Sequence, residues 1–177
     1  MKALVIIDVQ ANLFSEPKAE DIVSVAARLD AVAAEARAAG VPVVFVRHDE
    51  AGTAWERDTA GWAFHPSLAP KPGDIVVDKQ SCDGFRNTTL AAELQRLHVD
   101  AIVVGGYASE FCIDTTVRAA ASREIGVTII ADGHTTRDRP HVRAATTRAH
   151  LNWLWPEMSN PGNPIRVMPA AALDWRA

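Results

Sequence analysis

Short runs of consecutive apolar, mostly β-branched residues recur along the chain at 3–7, 42–46, 74–79, 101–104, 127–131 and 165–168. Such runs, without polar alternation, suit strands buried on both faces of a parallel sheet. Between them lie stretches of helical period. Ile22, Val25, Ala26, Leu29, Val32 and Ala33 share one face of a helix over 22–39, which Gly40 ends. Further helices are expected from a cap at Asn87 or Thr88 to His98, over 115–121 after Cys112, and from Pro140 to about Asn152. Alternating strands and helices predict an α/β fold: one doubly wound, three-layer sandwich with a six-stranded, mainly parallel sheet. The whole span 1–177 reads as a single domain, with no repeats and no linker. One connection, roughly 49–73, is long for a compact domain and reads as a functional loop or lid.

With 48% hydrophobic and 23% charged residues, the composition is ordinary for a globular protein. A net charge of −4 with interspersed signs gives no footprint for nucleic acid. The apolar run after Met1-Lys2 is too short for a signal peptide or a membrane span, so no membrane partner is expected and the location reads as cytoplasmic. Two cysteines, Cys82 and Cys112, outside any CxxC pair, fit a reducing compartment better than a disulfide framework.

Candidate chemistry gathers at the carboxyl ends of the expected strands, where open α/β sheets place their ligand crevice. Asp8 ends the first strand, Lys79 the third, and Cys112 follows the fourth at the start of a helix. Each has a plain alternative: a turn residue, a solvated surface lysine, a buried structural thiol. Together they supply a nucleophile, a proton carrier and a stabilising cation. A thiol at a helix N-terminus is expected to have its pKa lowered from ~8.5 to roughly 3.5–7.5. Gly105 and Gly106 mark a sharp turn or a close backbone approach.

The motifs Asp8-Val9-Gln10, Gly61-Trp62 to His65-Pro66, Lys79 with Phe85, and Gly105 to Cys112-Ile113 with Thr116 and Ala119-Ala120 carry a resemblance. In order and spacing they resemble the isochorismatase-like cysteine hydrolase superfamily over nearly the whole chain. The resemblance implies a triad of Asp8, Lys79 and Cys112. It also implies a cis Tyr107–Ala108 peptide that aims the Ala108 and Cys112 N–H groups into an oxyanion hole. Members hydrolyse amide or related C–N bonds through a thioester, whereas those cleaving an enol ether generally lack the cysteine. The stretch 109–118, with Asp132-Gly133-His134 and His150-Leu151-Asn152, is similar to the branch containing streptothricin hydrolases. Arg47-His48-Asp49-Glu50 lacks the Asp-x-His spacing by which nicotinamidases of the superfamily hold a metal, so neither metal nor other cofactor is expected.

The expected partner is a small-molecule amide, with Gln10, Phe14, Trp62, Phe85 and Tyr107 as substrate contacts. His134, His48 and His65 read as supporting groups, and Cys82 as an inert loop thiol. The alternatives to a C–N hydrolase are a vinyl-ether hydrolase and a catalytically silent binding member of the fold. A redox role for the two cysteines lacks a resolving partner near in sequence. Dimers or tetramers are common in the superfamily, and five tryptophans leave apolar surface for a homo-oligomer to bury.

Overall fold

The computed structural model describes residues 1–175. Its sheet contains β1 (Lys2–Ile7), β2 (Val43–His48), β3 (Ile75–Lys79), β4 (Ala101–Tyr107), β5 (Gly126–Thr135) and β6 (Arg166–Met168). The order is β3-β2-β1-β4-β5-β6, with every neighbouring pair parallel. Four helices cover it: α1 (Ile22–Ala38), α2 (Leu90–Arg96), α3 (Asp114–Ala121) and α4 (Ala144–Glu157). The central strands β1 and β4 are apolar over most of their length because both faces are covered. Ala3, Val5 and Ile7 of β1 join the core shared with α2, α3 and α4, while Leu4 and Ile6 join the core beneath α1. Neighbours in sequence thus point into opposite layers, as the two-residue period of a strand requires.

The order reverses between β1 and β4. The chain steps outward from β1 to β3, then returns to β4 on the other side of β1. Loops leaving β1 and β4 therefore part in opposite directions and open a crevice at the strands' carboxyl ends.

Three local expectations are corrected. β4 does not break at its glycines: Ile6 pairs with Gly105 and Ile7 with Gly106, and the strand runs on to Tyr107. A Cβ on Gly106, at φ +129°, would lie 2.0 Å from the Ile7 carbonyl oxygen, so the glycine serves close approach between strands. β5 likewise continues past Asp132-Gly133 to Thr135, because Gly106 and Tyr107 pair with His134 and Thr135. Finally, α4 begins at Ala144 rather than Pro140. The Asp138 carboxylate accepts from the Ala144 backbone N–H at 2.9 Å, which starts the helix late, and Pro156 is accommodated inside its last turn. Among the described residues, no helix is long and apolar enough to cross a membrane.

Candidate active site

Asp8 lies just past β1 with φ 53°, a left-handed conformation that aspartate tolerates better than most residues. Its backbone N–H donates to the Val46 carbonyl at 2.8 Å, anchoring it to β2. Lys79 is the last residue of β3, in register with His48 at the end of β2. Cys112 sits in a single π-helical turn, Ser109–Ile113, between β4 and α3. Within that turn the Ala108 carbonyl accepts from the Phe111 and Ile113 N–H groups at 3.0 and 3.1 Å. The Tyr107–Ala108 peptide leading into the turn is cis.

The three side chains meet. Lys79 Nζ lies 2.7 Å from Asp8 Oδ2 and 3.2 Å from Cys112 Sγ. A third partner completes the ammonium's set: His48 Nδ1, at the end of β2, is 3.2 Å from Nζ. Lys79 and Asp8 are almost fully buried, and Cys112 is 9% exposed. Asp8 Oδ1 is also buried and finds no hydrogen-bond partner among the described residues.

Burial works against the Lys79 charge, but the Asp8 carboxylate and the Cys112 sulfur outweigh it, and the ammonium's pKa is raised. For Cys112 the structure corrects the expectation of a lowered pKa. Burial first, then the negative charge of Asp8, push the thiol upward against the opposing pull of Lys79. At rest the proton therefore stays on sulfur, with Asp8 and Lys79 as a charged pair beside it. A helix terminus lowers a thiol pKa only where the thiolate stays solvated or unopposed, and here it is neither.

A cavity of about 230 Å³ opens at the sulfur, lined by Asp8, Cys112 and Ala108, with His48 and Glu50 on one side. Trp55, Tyr107, Phe111, Arg139 and Cys82 form the rest of its wall. The Trp55 and Tyr107 rings stack with centroids 5.9 Å apart, and both also line a second groove of about 640 Å³. A separate cavity of about 320 Å³, among Arg57, Asp78, Gln80 and Arg86, touches Lys79 but not the sulfur.

Of the expected substrate contacts, Tyr107 lines the sulfur's cavity; the structure places the other four elsewhere. Gln10 is fully buried: its Nε2 donates to the His48 and Trp62 carbonyls, both at 2.9 Å, and its Oε1 accepts from the His48 N–H. It thereby ties the end of β1 to β2 and to the long loop. Phe14 stacks on His65 at 3.6 Å, and Trp62 lies beneath the Arg47 guanidinium at 3.3 Å. Phe85 is buried with Arg123 over its ring. Cys82, read as an inert loop thiol, faces the cavity because Thr116 clamps its loop, accepting from the Gly84 N–H and donating to the Cys82 carbonyl. His134 is fully buried behind the cysteine turn, bonded to Ser109 Oγ at 2.8 Å and to Asn152 Oδ1 at 2.9 Å. Sequence reasoning missed Glu50, Phe111 and Arg139 as cavity walls; none lies in a periodic stretch that would signal its direction. Among the described residues, no group of three or more His, Cys, Asp or Glu side chains is arranged to hold a metal.

The family model of the isochorismatase domain matches residues 2–156, and the chain belongs to that family. It is 32% identical to a streptothricin hydrolase of Streptomyces noursei over 97% of its own length and 63% of that protein's. A second streptothricin hydrolase of the same organism is 32% identical over 97% of the chain and 69% of its own length. The chain thus spans about two thirds of these relatives. It is also 30% identical to the ureidoacrylate amidohydrolase of Methylobacterium radiotolerans, over 73% of the chain and 65% of that protein. Among solved structures, an isochorismatase from Pseudomonas putida superposes with a TM-score of 0.88 at 29% identity, covering 98% of this chain and 90% of that one. A cysteine hydrolase from Pseudomonas syringae superposes with a TM-score of 0.87 at 25% identity, covering 96% and 89%.

Proposed function

We propose that the chain is a cysteine hydrolase that cleaves an amide or related C–N bond of a small molecule through a thioester. The observation that carries this reading is the contact of Cys112 Sγ with an ammonium itself paired to Asp8, at the wall of a cavity. Kinship to relatives named as hydrolases and amidohydrolases supports it.

The chemistry follows from the charges. As a substrate carbonyl approaches Cys112, Asp8 takes the thiol proton and the sulfur attacks the carbonyl carbon. Lys79 touches both groups, so when the proton leaves the sulfur the thiolate forms beside a positive charge. The backbone N–H groups of Ala108 and Cys112 are assigned to the oxyanion of the tetrahedral intermediate. Asp8 returns the proton to the leaving nitrogen, and the C–N bond breaks to give an amine and an acyl-Cys112. Water then attacks the thioester, losing a proton to Asp8; the carbon–sulfur bond breaks and the proton goes back to sulfur. Every proton removed is restored, so the cycle needs no external acid or base.

The cavity admits a small acyl group against the Trp55–Tyr107 wall, and the buried sulfur excludes bulky acyl chains. Screening small amides and lactams for release of ammonia or amine tests the proposal, with Cys112→Ser as the control. Turnover that depends on Cys112 supports it. Turnover of a vinyl ether that survives Cys112→Ala but not Asp8→Ala would replace it with enol-ether cleavage.

A further inference from the structure

The proposed triad leaves one contact unused. The Lys79 ammonium has three N–H groups and three partners: Asp8 Oδ2, Cys112 Sγ and His48 Nδ1. An ammonium only donates, so His48 Nδ1 must accept, which places the imidazole proton on Nε2. That nitrogen points toward Glu50 Oε2, 3.6 Å away at the cavity wall. Two further residues hold His48, one at its backbone and one at its ring. Gln10 bonds both the N–H and the carbonyl of the His48 backbone, and Trp55 meets the ring edge-on at 5.9 Å. His48 thereby joins the ends of β2 and β3 at the buried cation.

The geometry points to His48 as a positioning residue: a neutral, Nε2-protonated imidazole that fixes the third N–H of Lys79, so that the other two stay aimed at Asp8 and Cys112. The inference rests on the triad reading above and deepens it. Without an acceptor at the Nδ1 position, the ammonium is free to rotate, and its contact with the weaker acceptor, the sulfur, is the first to be lost. Protonation of His48 has the same effect more severely. Nδ1–H would then face an N–H of Lys79, donor against donor and cation against cation, 3.2 Å apart. The groups facing the ring are Asp8 from β1, Lys79 from β3, and Glu50 from the loop after β2. Burial, and then the Lys79 charge, keep the imidazole pKa below its ordinary value against the pull of the two carboxylates. The site is therefore poised to work at neutral pH and to fail in acid through His48.

The probe is p-nitrophenyl acetate, whose activated acyl group reports attack by Cys112 without knowledge of the natural substrate. His48→Phe keeps a ring against Trp55 but removes the acceptor, and kcat should fall about 30-fold with KM changed less than about 3-fold. His48→Asn, whose Oδ1 falls near the Nδ1 position, should recover kcat to within about 5-fold of native and lose the acid limb that His48 causes. NMR of the imidazole nitrogens in the native protein should show Nε2 protonated and Nδ1 bare at neutral pH. Its titration midpoint should match the acid limb of kcat/KM. An Nδ1-protonated or charged His48 at neutral pH overturns the inference even if the variants fail to fold. Native kcat and pH profile in His48→Phe, with activity abolished in Cys112→Ala, also overturns it. Full activity in Cys112→Ala defeats the triad reading instead, and the NMR result then decides His48 alone.

Discussion

Ser109 Oγ and His134 Nδ1 stand 2.8 Å apart in the fully buried space behind the cysteine turn, so the residue that opens that turn is held from β5. The other ring nitrogen is bonded to Asn152 of α4, and the Trp155 ring meets the imidazole edge-on at 5.2 Å. Two elements, β5 and α4, thus fix one residue of the turn that carries Cys112.

This placement makes stability depend on pH. Burial pushes the His134 pKa down to about 4. In the unfolded chain the imidazole takes up its proton near pH ~6.5, so between those values the unfolded state binds more protons. Stability is therefore full above about pH 6.5 and declines as pH falls toward 4, by about 3 kcal/mol in all. Urea denaturation across this range should show the decline in the native protein and a flatter dependence in His134→Gln. Equal slopes in the two proteins would contradict it.

Gly106→Ala should prevent folding or cost more than ~4 kcal/mol. The added methyl would meet the Ile7 carbonyl oxygen at 2.0 Å, and the backbone at φ +129° disfavours any side chain. Neither Ile7 nor β4 can yield, since each is paired on both sides within the sheet. Soluble yield and thermal melting check this; a native-like melting temperature would refute the packing argument.

Removing one member of the buried ion pair should cost stability, and removing both should restore much of it. Lys79→Met leaves the Asp8 carboxylate buried without its cation partner, a loss of about 3–5 kcal/mol. Asp8→Asn keeps a residue suited to φ 53° and should fold, without a base to take the thiol proton. The double variant should regain at least half of the stability lost in Lys79→Met, as read by denaturant midpoints. Strict additivity of the two changes would show that the pair is not coupled.

Trp55 is the shared wall between the sulfur's cavity and the neighbouring groove. Trp55→Ala should join the two spaces, raising KM for a small acyl probe about 10-fold while leaving kcat within about 3-fold. The same change should relax the limit on substrate length. Unchanged KM and unchanged length selectivity would place the substrate elsewhere.

The sheet was legible because a strand buried on both faces has to be apolar at every position, and Ala3–Ile7 and Val43–Val46 are. That rule gives no end point where side chains vanish: Gly105 and Gly106 read as interruptions, yet each lies where a neighbouring strand's carbonyl leaves no room for a side chain. Asp8, Lys79 and Cys112 could be picked out because each is a reactive side chain at a strand's carboxyl end. Their mutual contact depends on strand order, which sequence spacing does not state. The walls of the cavity were harder still. Trp55 and Trp62 sit seven residues apart in one irregular loop, and nothing in that spacing tells which faces the sulfur. The loop's own stitching decides: Arg47 and Gln10 hold Trp62 outside, while Asn12 bonds the Ala54 carbonyl and turns Trp55 toward Tyr107. The thiol's upward pKa shift was likewise hidden, since burial and the Asp8 charge outweigh the local effect of a helix end.

The most direct test of the proposed chemistry is peptide-level mass spectrometry of the protein quenched during turnover of p-nitrophenyl acetate. The account predicts an acetyl group on Cys112, formed in a burst and then hydrolysed. Acylation should slow at least about 100-fold in Asp8→Asn and in Lys79→Met, because the base or the stabilising cation is gone. An acetyl group on Cys82 with Cys112 unmodified, or an undiminished burst in either variant, would contradict it.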